Sequence, residues 1–189
     1  KQPEQAKTAL GRALLWEDPA LALLDPMRRK ANLRPWYGKL ARDLARAARG
    51  GGLAGRLAFP AAIAAVLERK VHLRRDLAAA LKAGDRPALR RLARRELPAL
   101  RRRAAALWTC HRAMWMATFK PFGWEVIESR YGTLMARLAT LQERVDDYLA
   151  GRLASLPELE APLRHPWPNR RPEQIYTNAA RMRTPSIIG

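Results

Sequence analysis

The chain has one cysteine, no long apolar run and fewer than half as many acidic as basic residues, and each shortage excludes something. A lone Cys110 cannot close an internal disulfide. No second cysteine stands beside the three histidines, so no metal centre is expected and no cofactor is implied. No stretch approaches the ~18 uninterrupted apolar residues of a membrane span, and the opening Lys-Gln-Pro-Glu-Gln lacks the apolar core of a secretory signal. The expectation is a soluble protein with no membrane partner, in the reducing cytoplasm. The chain opens on Lys1 and not on Met, which leaves a processing site and a longer upstream chain both open.

The shortage of acid leaves 36 Lys and Arg against 17 Asp and Glu, a formal charge of +19. A positive surface attracts phosphate, so one reading is a stand-alone basic helical module that binds nucleic acid or an acidic partner. The cations are mostly Arg, in a chain rich in Ala, Leu, Gly and Pro and poor in Asn, Ile and Lys. That is the bias of GC-rich coding, which accounts for the charge without a ligand. The Arg-rich 86–112 stretch has no zinc-finger or RNA-recognition signature and no aromatic interleaving, so nucleic acid is the second reading. A helix-mediated oligomer is a third. With 189 residues the chain is long enough for one domain that buries ~70% of its unfolded surface.

What is present is helical periodicity. Leu10, Leu14 and Leu15 mark a short helix that Glu17-Asp18-Pro19 interrupts, and Leu21–Leu24 gives another apolar turn before Asp25-Pro26. Residues 1–32 thus read as a lead-in segment, the hinge or docking strap of any upstream domain. Trp36, Leu40, Leu44 and Ala47 recur at helical spacing until Gly50-Gly51-Gly52 breaks the run. Phe59 to Leu81 reads as one helix, with Pro60 in its first turn and Gly84 beyond its end. Asp85 can cap the next segment, and Pro98 is expected to start a fresh helix carrying Leu100, Ala104, Leu107, Trp108, His111 and Trp115. Arg90, Arg91, Arg94, Arg95, Arg101, Arg102 and Arg103 mostly take the opposite arc. Trp124, Ile127, Tyr131, Leu134, Leu138, Leu141, Val145 and Tyr148 form the longest seam, with Arg130, Arg137 and Arg144 beside it and Gly132 leaving room for a close neighbour. No strand pattern appears. The expected fold is all-α: an antiparallel helical bundle over 33–161, followed by an irregular Pro-rich extension over 162–189 in which Trp167, Tyr176, Ile187 and Ile188 supply anchors.

Between the last two long helices stands Lys120-Pro121-Phe122-Gly123. Pro121 has no amide proton and disfavours helix at Lys120, while Gly123 reaches positive φ cheaply, so the corner is specified by sequence. The stretch Lys120-Pro121-Phe122-Gly123-Trp124-Glu125-Val126, then Arg130-Tyr131-Gly132, Leu134 and Arg137, resembles the C-terminal helical region of bacterial β-N-acetylhexosaminidases of glycoside hydrolase family 20. The likeness extends to Leu14-Leu15-Trp16-Glu17-Asp18-Pro19, to Tyr148-Leu149-Ala150-Gly151 with Leu156-Pro157-Glu158-Leu159-Glu160, and to Tyr176 and Thr184-Pro185-Ser186, so it spans nearly the whole chain.

The resemblance implies a domain that follows a catalytic β/α barrel in the same chain, with β-linked terminal N-acetylhexosamine as the substrate class of the whole enzyme. It also implies that the corner flanks the barrel and shapes its cleft or a dimer contact. In that family the substrate's acetamido group is the nucleophile and an Asp-Glu pair from the barrel assists it. This chain has no Asp-Glu dipeptide and no alternating strand-helix pattern, so no catalytic residue is assigned and no hydrolysis is expected from it alone. Glu17-Asp18 and Asp146-Asp147 read as solvent-facing. The rim or interface candidates are His111, Trp115, Lys120, Phe122, Trp124, Glu125, Arg130, Tyr131 and Arg137. Six of them have a plainer reading beside the functional one: His111 as a hydrogen-bonded structural histidine, Trp115, Phe122 and Trp124 as packing, Glu125 and Arg130 as internal pairs. Cys110 lacks a visible acid-base partner.

Overall fold

Among the described residues most positions are helical, and proline and glycine mark several of the breaks. The computed structural model describes residues 14–22, 25, 31–50 and 52–162. In order they form α1 (Leu33–Ala48), a 3-10 turn (Gly52–Leu57), α2 (Ala58–Lys70), α3 (Leu73–Lys82), α4 (Arg86–Arg91), a π-turn (Leu92–Glu96), α5 (Leu97–Thr118), α6 (Trp124–Leu149) and the single turn α7 (Pro157–Glu160). Among the described residues there is no strand, and no helix is long and apolar enough to cross a membrane. The fold is all-α. The anchors expected in the Pro-rich extension lie outside the described residues.

Short connections make α1 and α2, and likewise α5 and α6, antiparallel neighbours. Gly38 of α1 faces Glu68 of α2, while Ala48 and Ala58 line the other end of the same groove. Helix α2 then runs antiparallel to α5: Phe59 lies 4.3 Å from the His111 ring, Arg103 donates to Glu68 at 3.1 Å, and Arg69 donates to Glu96 at 2.5 Å. Helices α5 and α6 pair the same way, with Trp108 Nε1 donating to Glu128 at 3.2 Å. The core fills the shared faces. Leu67, Leu97, Leu100, Leu107 and Leu138 are almost wholly buried, each worth roughly 1.5–3 kcal/mol relative to exposure. On α6 the seam comes out as spaced, with Trp124, Tyr131, Leu134, Leu138, Leu141 and Val145 buried.

Several expectations change. Phe59–Leu81 is two helices, broken at Val71 and His72 with neither proline nor glycine present. The break brings His72 Nε2 to the amide of Leu33, which donates to it at 3.1 Å at the start of α1. Pro98 stands in the first turn of α5, as expected, but α5 is not set off from the helix before it. The Pro98 ring would collide with a carbonyl one turn back, and the π-turn immediately before α5 adds a residue there and lets the axis run on. On α1, Trp36 and Ala47 are exposed, and the buried side chains belong to Tyr37 and Ala41. Gly132 faces open space, with nothing within 4 Å of where a Cβ would stand, so no neighbour uses the room it leaves.

The lead-in segment joins the core. Leu14, Leu15 and Ala20 are buried, and so is Asp18, whose side chain is 2% exposed. The solvent-facing reading of Asp18 is therefore wrong. Its Oδ1 accepts from the amides of Ala20 and Leu21 at 2.8 and 3.1 Å, and its Oδ2 accepts from Arg137 Nε at 2.6 Å. A carboxylate with three donors tolerates burial. Two further cations seat the segment: Lys70 Nζ donates to the carbonyls of Leu14 and Glu17 at 2.7 and 2.6 Å, and Arg74 Nε donates to that of Ala20 at 3.2 Å. Arg74 also reaches the Ala161 carbonyl at 2.7 Å, joining the two ends of the described chain.

Candidate functional site

At the α5–α6 corner the backbone reverses over Phe119–Gly123. Helix α5 closes when the Phe119 amide donates to the Trp115 carbonyl at 2.7 Å, and Gly123 takes φ +88°, a conformation that L side chains rarely adopt. Glu125 folds back to accept from the Gly123 amide at 2.9 Å, placing a negative charge at the positive end of α6. The Trp115 indole donates to the Lys120 carbonyl at 3.0 Å and pins the turn to the end of α5.

Behind the turn lies an aromatic cluster. His111 has its ring 5.2 Å from Trp124, 6.2 Å from Trp115 and 5.9 Å from Tyr131, while Phe59 covers another side. His111 Nδ1 and the Tyr131 hydroxyl form a hydrogen bond of 3.0 Å. Trp16, from the lead-in segment, packs edge-on against Tyr131 at 4.8 Å. Burial lowers the His111 pKa below its ordinary value, which favours the neutral ring. Burial raises Tyr131, helped by the neighbouring Cys110, and raises the Cys110 thiol as well. In each of these groups burial disfavours the charged form, so a thiolate at Cys110 is not favoured.

The structure therefore brings His111, Trp115, Trp124 and Tyr131 together and sets the other candidates apart. Lys120 and Phe122 point outward, and Phe122 is 85% exposed, which departs from the packing reading. Glu125 is a backbone cap. Arg130 lies half-buried on α6, and Arg137 is bonded to Asp18, about 20 Å along α6 from Trp124 by helical rise. Trp16, Phe59 and Phe119 belong to the cluster and sequence reasoning did not single them out. No short-range spacing connects Trp16 or Phe59 to the corner, whereas Phe119 stands only four residues from Trp115 and was within reach of a helical-face argument.

Elsewhere several carboxylates are paired with guanidinium groups. A cavity of about 630 Å³ beside α2, α3 and α4 is lined by Arg34 and Asp76, bonded at 2.6 Å, and by Arg69 and Glu96. Arg144 holds Glu158 below its ordinary pKa. Among the described residues no three His, Cys, Asp or Glu side chains converge as metal ligands. The outer arc running from α4 through the π-turn into α5 carries Arg90, Arg91, Arg95, Arg101 and Arg102 in water, while Arg103 turns inward to the Ala65 carbonyl.

Compared with known families, residues 1–177 match the model described as the Glycoside Hydrolase 20C C-terminal domain. No curated protein matches the chain.

Proposed function

Given that the chain belongs to the Glycoside Hydrolase 20C C-terminal domain family, we propose that it is the non-catalytic helical domain that follows and braces the catalytic barrel of a β-N-acetylhexosaminidase-like enzyme. The substrate class of that whole enzyme is β-linked terminal N-acetylhexosamine, and its location is the cytoplasm. The observation that carries the reading is the state of the carboxylates. A glycosidase needs an acid with a raised pKa beside a second carboxyl group. Here Asp18, Glu68, Glu96 and Glu158 each sit on a guanidinium, Asp85 and Glu160 accept from backbone amides, and the resolved shifts of Asp43 and Glu158 are downward. These groups support helices and do not supply protons to a glycosidic oxygen.

The lead-in segment supports the bracing role. A segment leaving a barrel and fixed in the bundle by Lys70, Arg74 and Arg137 transmits position between the two bodies, where a free linker would not. Two measurements test the reading. The isolated chain should release no chromophore from a chromogenic N-acetyl-β-glucosaminide above background, and release at the rate of a complete enzyme would end the non-catalytic claim. Deleting the domain from the full-length enzyme should lower the thermal midpoint of hydrolytic activity, and an unchanged midpoint would remove the bracing role.

A further inference from the structure

The basic charge of the chain is not spread evenly over its helices. Residues 86–112 hold nine arginines and one acid, Glu96, which is turned to Arg69 on α2. Helix α6, packed alongside, holds three arginines against five acids. A coding bias toward arginine acts on both helices alike, so it accounts for the total charge and not for this placement. Within 86–112, Arg86, Arg94 and Arg103 reach the Leu149 carbonyl, Asp146 and Glu68. Arg90, Arg91, Arg95, Arg101, Arg102 and Arg112 are exposed and have no carboxylate partner among the described residues. Because α4, the π-turn and α5 follow one another without a break, these six guanidinium groups spread along about 33 Å of one rod. Arg91, Arg95 and Arg102 stand at steps of four and seven and line one side of it.

What lies between the arginines selects the occupant. The outward positions there are Pro98, Ala99, Ala105, Ala106 and Thr109, and none of the large exposed apolar side chains falls within 86–112. A protein partner is held by an apolar centre with aromatic anchors. A membrane surface needs bulky apolar side chains to enter it, and a single nucleic-acid strand needs aromatic platforms for its bases. The arc offers none of these. A duplex backbone needs only charge, because guanidinium forks match phosphate oxygens and each contact releases condensed counterions.

We propose that the arginine arc of α4, the π-turn and α5 binds the phosphate backbone of double-stranded nucleic acid without reading its sequence. This is a second function of the domain, carried by the placement of charge and independent of any barrel that precedes it. With no side chain on the arc able to stack on a base, affinity comes from phosphate contacts alone.

Fluorescence anisotropy of a labelled duplex about 20 base pairs long, titrated with this chain from about 50 to 200 mM salt, tests the proposal. Two duplexes of unrelated sequence should bind alike, and the logarithm of the binding constant should fall with that of the salt concentration at a slope of about −5, six contacts at roughly −0.9 each. No binding at the lowest salt, or a slope shallower than about −2, overturns the proposal. Tighter binding to the single strand than to the duplex overturns the choice of ligand, as does capture of heparin or polyglutamate under conditions where the duplex stays free. Two triple variants locate the contact. Arg91→Gln, Arg95→Gln and Arg102→Gln together should weaken binding and reduce the slope by about 3. Arg42→Gln, Arg46→Gln and Arg49→Gln together remove the same charge from exposed positions on α1 and its C-terminal end, and should change the slope by less than about 1. Equal losses in the two variants would assign binding to net charge and overturn the arc. The salt slope of the unsubstituted chain decides the proposal even where a variant fails to fold.

Discussion

Asp18 of the lead-in segment is bonded to Arg137 in the middle of α6, carboxylate Oδ2 to guanidinium Nε at 2.6 Å across 119 residues of sequence. Asp18 supplies both oxygens, since Oδ1 holds the amides of Ala20 and Leu21. The Arg137 side chain is 40% exposed, which screens its share of the pair. Asp18→Ala strands two amides and a guanidinium together, and we expect a loss of about 2–3 kcal/mol in urea unfolding. A loss under about 0.5 kcal/mol, the level of ordinary surface substitutions, would show that the segment is not held by this residue.

Lys70→Met keeps the apolar stem and removes the ammonium from the carbonyls of Leu14 and Glu17. Leaving such acceptors unpaired in a buried site costs about 2 kcal/mol. Far-ultraviolet circular dichroism should be nearly unchanged while the urea midpoint falls, because α2 itself does not depend on that ammonium. Loss of helical signal at zero denaturant would contradict this division.

Gly132→Ala should stabilise the protein by about 0.5–1 kcal/mol, since the position is an exposed helix interior with open space around it and glycine there loses excess backbone entropy on folding. Thermal melting checks it. A lower midpoint would mean that the bare surface at Gly132 is in use.

The sign of the pH dependence at His111 follows from its burial. Its folded pKa is below the ordinary 6.5, so at pH below about 6.5 the unfolded chain takes up a proton that the folded chain refuses. Stability from this group is present above pH 6.5 and declines as pH falls toward the lowered folded value. His111→Gln should flatten the slope of unfolding free energy between pH 6.5 and 5 relative to the unsubstituted chain, which also titrates elsewhere. An identical slope in both proteins would remove His111 from that dependence.

The long elements were legible because their spacing is repetitive. The seam from Trp124 to Val145 and the capping Asp85, whose Oδ1 accepts from the Ala88 amide at 2.9 Å, needed only local rules. Gly123 was legible for the same reason, as a corner between a proline and a helix demands positive φ. The failures have a common physical origin. The break at Val71 and His72 is set by what Lys70, His72 and Arg74 reach elsewhere in the chain, and no residue at the break announces it. The π-turn answers a proline that could as well have begun a new helix. Asp18 looked solvent-facing because its partner is 119 positions away. Of the candidate site, the aromatic members on α5 and α6 were visible at helical spacing, whereas Trp16 and Phe59 reach the cluster only through tertiary packing.

The cation clamp also fixes an order of events during synthesis. The segment around Asp18 emerges long before Arg137, and at ~5–20 residues per second the interval is on the order of 6–24 s. Lys70 and Arg74 arrive within the first half of that wait, so the segment first meets α2 and α3, and is secured only when α6 leaves the ribosome. A domain synthesised ahead of this one would have those seconds to finish its own folding before the bundle closes behind it.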